Sequence, residues 1–244
     1  MLKALIKRAA DKLLGRTSKE PPAAPSRPKK ATKIRPVAPT KAETAQLKPF
    51  KGLSLKCIHV PKTPEEFEHA AREIIAAGVA GFDTESKPVF RAGEKNHGPH
   101  VVQFALEDRA FIFQLHHREC MSVVSELLAS ERVLKVGFGL RNDRTQIRSK
   151  FGVELQALLD LDHVFRKQGY AGEIGVRAAV GTVLNQSFAK SKSVTKTNWA
   201  LPELTSRQLQ YAADDAYAAL KVMQALGLSR EAEPARKPRS RARH

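Results

Sequence analysis

Two acidic side chains, Asp83 and Glu85, stand two residues apart in the otherwise apolar run Val79-Ala80-Gly81-Phe82-Asp83-Thr84-Glu85. The strand period of two places both on one face and Thr84 on the other. Paired carboxylates at the end of a core strand repel each other and resist desolvation, and a divalent cation removes both costs. An all-oxygen donor set favours magnesium or manganese over zinc. A solvated loop just past the strand end would accommodate the same two acids without a metal, so the pair alone leaves both readings open. Tyr211 and Asp215 lie four residues apart and so share one face of a helix, a spacing that ordinary amphipathicity also produces. Asp214 is rotated by about 100° and should point elsewhere. Asp143 follows Val136-Gly137-Phe138-Gly139-Leu140, in which two glycines permit close backbone approach after a strand.

The elements that must carry these residues are legible from their punctuation. Thr63-Pro64-Glu65-Glu66 is a helix start with a capping Thr, Pro at the first helical position and Glu at the third, and Gly78 ends that helix. Residues 79–85 then read as a buried strand. Strands over 101–106 and 110–115 flank the short turn Glu107-Asp108-Arg109. A helix over 121–129, a strand over 133–136, a helix over 142–150 and a short strand over 156–161 follow. Thr205 and Gln208 form a capping box for a final helix that carries Leu209, Ala212, Ala213, Ala216, Leu220 and Met223 as its apolar stripe and stops at Gly227. A hairpin followed by strand–helix alternation predicts one α/β domain with a mixed sheet.

The 244 residues carry a net charge of +17, and most of it sits outside that domain. Residues 1–50 hold 13 Lys/Arg against 3 Asp/Glu, and residues 229–244 hold 6 against 2. Basic tails attract polyanions without reading sequence, because neutralised phosphates release counterions. Residues 1–15 place Leu2, Leu5, Ile6, Ala9, Leu13 and Leu14 at helical spacing with Lys3, Lys7, Arg8 and Lys12 mostly opposite, an amphipathic basic segment. It reads first as a marginal helix on a flexible arm, since ~15 residues barely hold helix in water, and otherwise as a dock for a partner or membrane surface or an organelle-import signal. Residues 16–50 contain seven of the fourteen prolines and read as a flexible linker, and 229–244 as a disordered basic tail, leaving 51–228 as the domain. Two cysteines, Cys57 and Cys120, make neither a disulfide framework nor a zinc spacing, which fits a reducing compartment. No apolar run approaches the ~20 residues that span a bilayer. The chain is expected to be intracellular, and cytoplasmic or nucleoid-associated in a bacterium.

Three segments in order, Phe-Asp-Thr-Glu at 82–85, Val-Gly-Phe-Gly-Leu-Arg-Asn-Asp at 136–143 and Tyr-Ala-Ala-Asp-Asp at 211–215, resemble the motifs of the DEDD exonucleases. The tyrosine four residues before the last Asp is similar to that of the tyrosine branch, which includes RNase D and the Werner helicase exonuclease domain. The resemblance covers about 60–228, with further agreement at Lys196-Thr197-Asn198-Trp199, Leu204-Thr205 and Gln208. It implies a ribonuclease-H-like mixed sheet flanked by helices, and metal-dependent 3′–5′ hydrolysis that releases nucleoside 5′-monophosphates. Two Mg2+ or Mn2+ ions per site would be held by Asp83, Glu85, Asp143 and Asp215. Asp83 would bridge both, Glu85 and Asp215 would hold the nucleophile-side ion, and Asp143 the second through water. Tyr211 would orient the attacking water, since a phenol with pKa near 10 is a poor base at neutral pH.

The implied partner is DNA or RNA with a free 3′ end. Arg141, Arg144, Arg148 and Lys150 after the second motif, and Lys190, Lys192 and Lys196 before Trp199, are candidate backbone contacts, with Arg141, Arg144, Lys192 and Lys196 the leading four. Solvated helix faces would explain the arginines equally, and a core position suits Trp199. His97 and His100, in a Gly/Pro-containing loop, are assigned no role. Trimming of structured RNA is the alternative within catalysis, although no RNase D-type second helical domain is visible in the sequence. An inactive nucleic-acid-binding scaffold is the alternative outside catalysis, and the full carboxylate set argues against it.

Overall fold

The computed structural model describes residues 35–89, 93 and 97–229. The amphipathic segment 1–15, the first part of the expected linker and nearly all of the basic tail 229–244 lie outside the described residues.

In chain order the elements are α1 (Lys41–Ala45), β1 (Lys48–Pro49), a 3-10 turn (Leu55–Cys57), β2 (Ile58–His59), α2 (Pro64–Ala77), β3 (Val79–Glu85), β4 (Val101–Ala105), β5 (Ala110–Gln114), α3 (Cys120–Ala129), β6 (Leu134–Gly137), α4 (Arg141–Phe151), β7 (Leu158–Asp160), α5 (Leu161–Lys167), α6 (Val176–Leu184), β8 (Gln186–Ser187), α7 (Lys192–Thr195) and α8 (Ser206–Ala225). Six strands form a mixed sheet in the order β2-β5-β4-β3-β6-β7. β4 is antiparallel to both β3 and β5, and β6 runs parallel to β3 and β7. This is the mixed α/β architecture expected of the sequence.

The two faces of the sheet follow from strand alternation. Phe82, Phe104 and Phe113 point to one face and pack edge to face or tilted, with ring centroids 5.4 and 6.1 Å apart. That face is covered by α2, α3 and α4 through Ile74, Leu127 and Ile147. Lys135 on β6 also points there, and its Nζ donates to the carbonyls of Leu127 and Ser130, closing the end of α3 from beneath. The opposite face carries Gly81, Asp83 and Glu85 and is covered by α8. Gly81 sets the distance between α8 and the sheet. A Cβ there would sit 1.9 Å from the backbone oxygen of Ala216, so only glycine lets the helix lie directly on β3.

Part of the expected linker is packed on the domain. Thr40 and Glu43 form a capping box that starts α1, and Thr44 is buried in the space left by Gly181. β1 pairs with β8, and Phe50 packs between Phe188 and Tyr217. Proline-rich composition argued against a self-sufficient core in 16–50. It did not reveal that the exposed face of α6 and β8 supplies the apolar surface for residues 38–50.

Gly81→Ala would force α8 away from β3, and overpacking of this kind costs about 1–3 kcal/mol. The urea midpoint should fall accordingly, as followed by circular dichroism, and an unchanged midpoint would show that the helix–sheet approach is not tight.

Candidate active site

β3, α4 and α8 bring the three acidic segments to one end of the sheet. Asp83 and Glu85 share the α8-facing side of β3, and Asp215 approaches them from α8 over the Gly81 contact. Each of these three offers a carboxylate oxygen, and the three oxygens lie within 4.8 Å of one another. Glu85 and Asp215 are buried, Asp83 half-buried. Oδ1 of Asp215 is buried and takes no hydrogen bond of good geometry from the described residues. An all-oxygen donor set of this size at one strand end, with the Thr84 N–H on Asp83 and the Lys190 ammonium on Asp215 as its compensating donors, fits a hard divalent cation.

Asp143 approaches from the other side. It lies in the first turn of α4, which packs on the Phe82 face, and its Oδ1 accepts a hydrogen bond from the Thr84 hydroxyl. Thr84 therefore points away from Asp83 and Glu85, as alternation requires, yet still meets the second acidic segment. Asp143 is not one of the three clustered acids, although its charge acts on both Asp83 and Glu85. Its helix is aimed by Asp160, at the end of β7, whose carboxylate oxygens accept from the backbone N–H of Gly139 (2.9 Å) and Leu140 (3.0 Å). Gly139 has φ of +65°, the left-handed turn that delivers the chain from β6 into α4. Gln146 on α4 lies 2.7 Å from the Ser86 hydroxyl, a second tie between α4 and the end of β3.

Tyr211 sits one turn before Asp215. Its hydroxyl is 2.9 Å from Thr195 Oγ1, and its ring packs 5.9 Å from that of Trp199. Trp199 is a core residue, donating Nε1–H to the Thr195 carbonyl. Gln208 completes the cap of α8 and donates from Nε2 to Thr197 and Asn198, which locks the 195–199 segment against the helix. Asp214 points away from the cluster, accepting from Gln210 beside Gly52. Burial lifts its pKa to about 6.

Sequence reasoning placed Lys190 in a possible backbone channel; instead it reaches into the cluster. Its Nζ is 2.7 Å from Asp215 Oδ2 and 5.5 Å from the Tyr211 ring centroid. Arg141, Arg144, Lys192 and Lys196 are all exposed, the first two on the opening turn of α4 and the others at the ends of α7. Lys150 holds the 97–99 loop by donating to the carbonyls of His97 and Pro99. Thr84, Asp160, Thr195 and Gln103 escaped the sequence reading. Gln103 faces Asp83 across the β3–β4 ladder, fully buried, with neither amide atom hydrogen-bonded to any of the described residues. Only Asp160 had a signal, as an acid closing a short apolar strand.

The electrostatics follow from burial of like charges. Burial, then the charges of Asp143 and Asp215, hold the Asp83 carboxyl well above the usual range. Burial and Asp83 push Glu85 up to about 9. Burial raises Asp215 and Asp143 as well, opposed by Lys190 at the former and by the Thr84 hydrogen bond at the latter. Burial also raises the Tyr211 phenol, so it keeps its proton at neutral pH. In the unfolded chain Glu85 ionises near its ordinary 4.5, while in the native metal-free protein it holds its proton to about 9. Between those values the folded state binds more protons, so stability is full below the lower value and is lost as pH rises toward the upper one. In EDTA the urea midpoint should decline from pH 5 to pH 9, and Glu85→Gln should flatten the decline. A wild-type midpoint that rises over this window would contradict the burial of like charges.

Residues 58–230 match the family model described as 3′-5′ exonuclease. The mouse bifunctional 3′-5′ exonuclease/ATP-dependent helicase WRN is 30% identical over 154 residues, 61% of this chain and 11% of that protein. A 3′-5′ exonuclease of Arabidopsis thaliana is 27% identical over 169 residues, 64% of this chain and 59% of that protein. The chain thus spans less than two thirds of the length of these relatives. Among solved structures, the Aedes aegypti Nibbler EXO domain superposes with a TM-score of 0.60 at 20% identity, covering 73% of this chain and 94% of that one. Escherichia coli RNase D gives 0.62 at 19%, covering 72% and 45%. These two likenesses establish a shared fold. The match over most of the chain places the protein in the 3′-5′ exonuclease family.

Proposed function

We propose that the chain hydrolyses phosphodiester bonds from the 3′ end of a nucleic acid with Mg2+ or Mn2+, releasing nucleoside 5′-monophosphates. The observation that carries this reading is the gathering of Asp83, Glu85 and Asp215 oxygens within 4.8 Å, beside Tyr211. Those three carboxylates would hold the metal, with Asp143 available across the strand end to a second ion. Bound divalent ions supply activation of water and charge relief at the phosphate.

The protein's own groups do the rest. Burial keeps Tyr211 protonated, so its hydroxyl acts as a donor held by Thr195 and Trp199, suited to orienting a water rather than removing its proton. Water oxygen bonds to phosphorus and releases a proton to solvent, the P–O3′ bond breaks, and the shortened strand leaves with a 3′ oxygen that takes up a proton from solvent. Asp160 and Thr84 act through Asp143, fixing the direction of α4 and the carboxylate orientation. Arg141, Arg144, Lys192 and Lys196 are exposed, which leaves them free to serve as contacts to a phosphate backbone.

The assay is degradation of 3′-labelled and 3′-blocked DNA and RNA by the purified protein with Mg2+, Mn2+ or EDTA. Activity should need the free 3′ end and the metal; cleavage that survives EDTA or ignores the block would refute the proposal. Activity confined to RNA would select the RNA-trimming alternative. Asp83→Ala and Asp215→Ala should each lower kcat by about 10²-fold or more, in the range set by loss of charge stabilisation at a reacting centre. Tyr211→Phe should lower kcat while manganese affinity stays within twofold of wild type; a parallel loss of manganese binding would give the phenol a different role.

A further inference from the structure

Among the described residues, one ammonium is pressed into the carboxylate cluster, and the reaction does not explain it. Lys190 comes from the segment between β8 and α7, its Nζ 2.7 Å from Asp215 Oδ2. Asp215 has a side chain only 3% exposed, whereas that of Lys190 is 33% exposed. Asp215 is also one of the three acids whose oxygens converge. Its carboxylate is therefore wanted by two cations at once, one on a flexible four-carbon stem and one from solution. Two positive charges so close in a poorly hydrated site repel each other strongly, so full occupancy by both is disfavoured. The stem has somewhere to go. Lys190 lines a cavity of about 180 Å³ together with Asp83, Asp215, Phe138, Ile174 and Glu173, so the ammonium can swing outward along a wall that offers Glu173 as another carboxylate.

We propose that Lys190 is the internal counter-ion of the metal-free site, and that its ammonium and a divalent ion exchange at Asp215. In the absence of metal the lysine compensates a buried carboxylate whose unpaired charge would otherwise destabilise the fold. On metal entry it leaves Asp215 and becomes accessible. Lys190 is thus a positioning residue for metal loading. The inference rests on the metal-dependent reading of the cluster, and its test separates failure of the two.

Wild-type protein would be treated with a limiting acylating reagent with and without saturating Mn2+, bound manganese being counted by electron paramagnetic resonance. Labelling at each lysine would be read by mass spectrometry. Lys190 should become several-fold more reactive with Mn2+ while Lys192 and Lys196 do not change, and Asp215→Asn should make Lys190 reactive without metal. Lys190→Met should melt below wild type in EDTA, with the gap closing at saturating Mn2+. Manganese bound with no change at Lys190, or a melting gap that persists in Mn2+, overturns the exchange but leaves the metal site intact. No manganese bound by the folded wild type overturns both.

Discussion

The contact between Gly81 on β3 and the Ala216 carbonyl on α8 is the constraint on which the site depends. It lets a 20-residue helix rest directly on the central strand, so that Asp215 falls beside Asp83 and Glu85 and not a layer above them. The remaining architecture secures that approach. Gln208 caps the helix and ties down the 197–198 turn, Ala212, Ala213 and Ala216 keep its sheet-facing side small, and Trp199 packs against Tyr211. Small residues on a helix are a weak source of hydrophobic stabilisation. The aromatic layer on the opposite face, Phe82, Phe104 and Phe113 under α2, α3 and α4, supplies that burial instead.

The site is a local conflict maintained by this framework. Buried like charges lift the carboxyl groups far from their ordinary values, and a fold optimised only for stability would avoid them. One lysine relieves part of the conflict at Asp215, and Thr84 satisfies part of Asp143. What stays unrelieved is affinity for a cation held in reserve. The same physics links stability, pH and metal: whatever neutralises the cluster, proton, ammonium or divalent ion, also stabilises the fold.

Much of this was legible in the residues. β3 and α8 announced themselves because each has a strong period and clear ends, with Gly78 before the strand and Thr205–Gln208 before the helix. Alternation alone set Asp83 and Glu85 on one face, and the i, i+4 rule joined Tyr211 to Asp215. α6 was missed because Val176-Arg177-Ala178-Ala179-Val180-Gly181 mixes β-branched residues with a glycine that serves Thr44, a contact 137 positions away in sequence. α1 and β1 were hidden because their stability comes from the surface they dock on. Lys190 was read as one of three similar lysines, since nothing in its neighbours distinguishes the one that turns inward. Long-range partners of this kind, Thr84 with Asp143 or Asp160 with Gly139, carry no local pattern.

Whether Asp83, Glu85 and Asp215 together form a cation site is read out by binding of Mn2+ to the folded protein without nucleic acid. Titration followed by electron paramagnetic resonance should show manganese bound by the wild type. It should show at least about tenfold weaker binding in Asp83→Asn and in Asp215→Asn, as expected when one charged ligand of a small oxygen site becomes neutral. Wild-type affinity retained by a folded Asp83→Asn/Asp215→Asn double variant would mean that these carboxylates do not hold the cation.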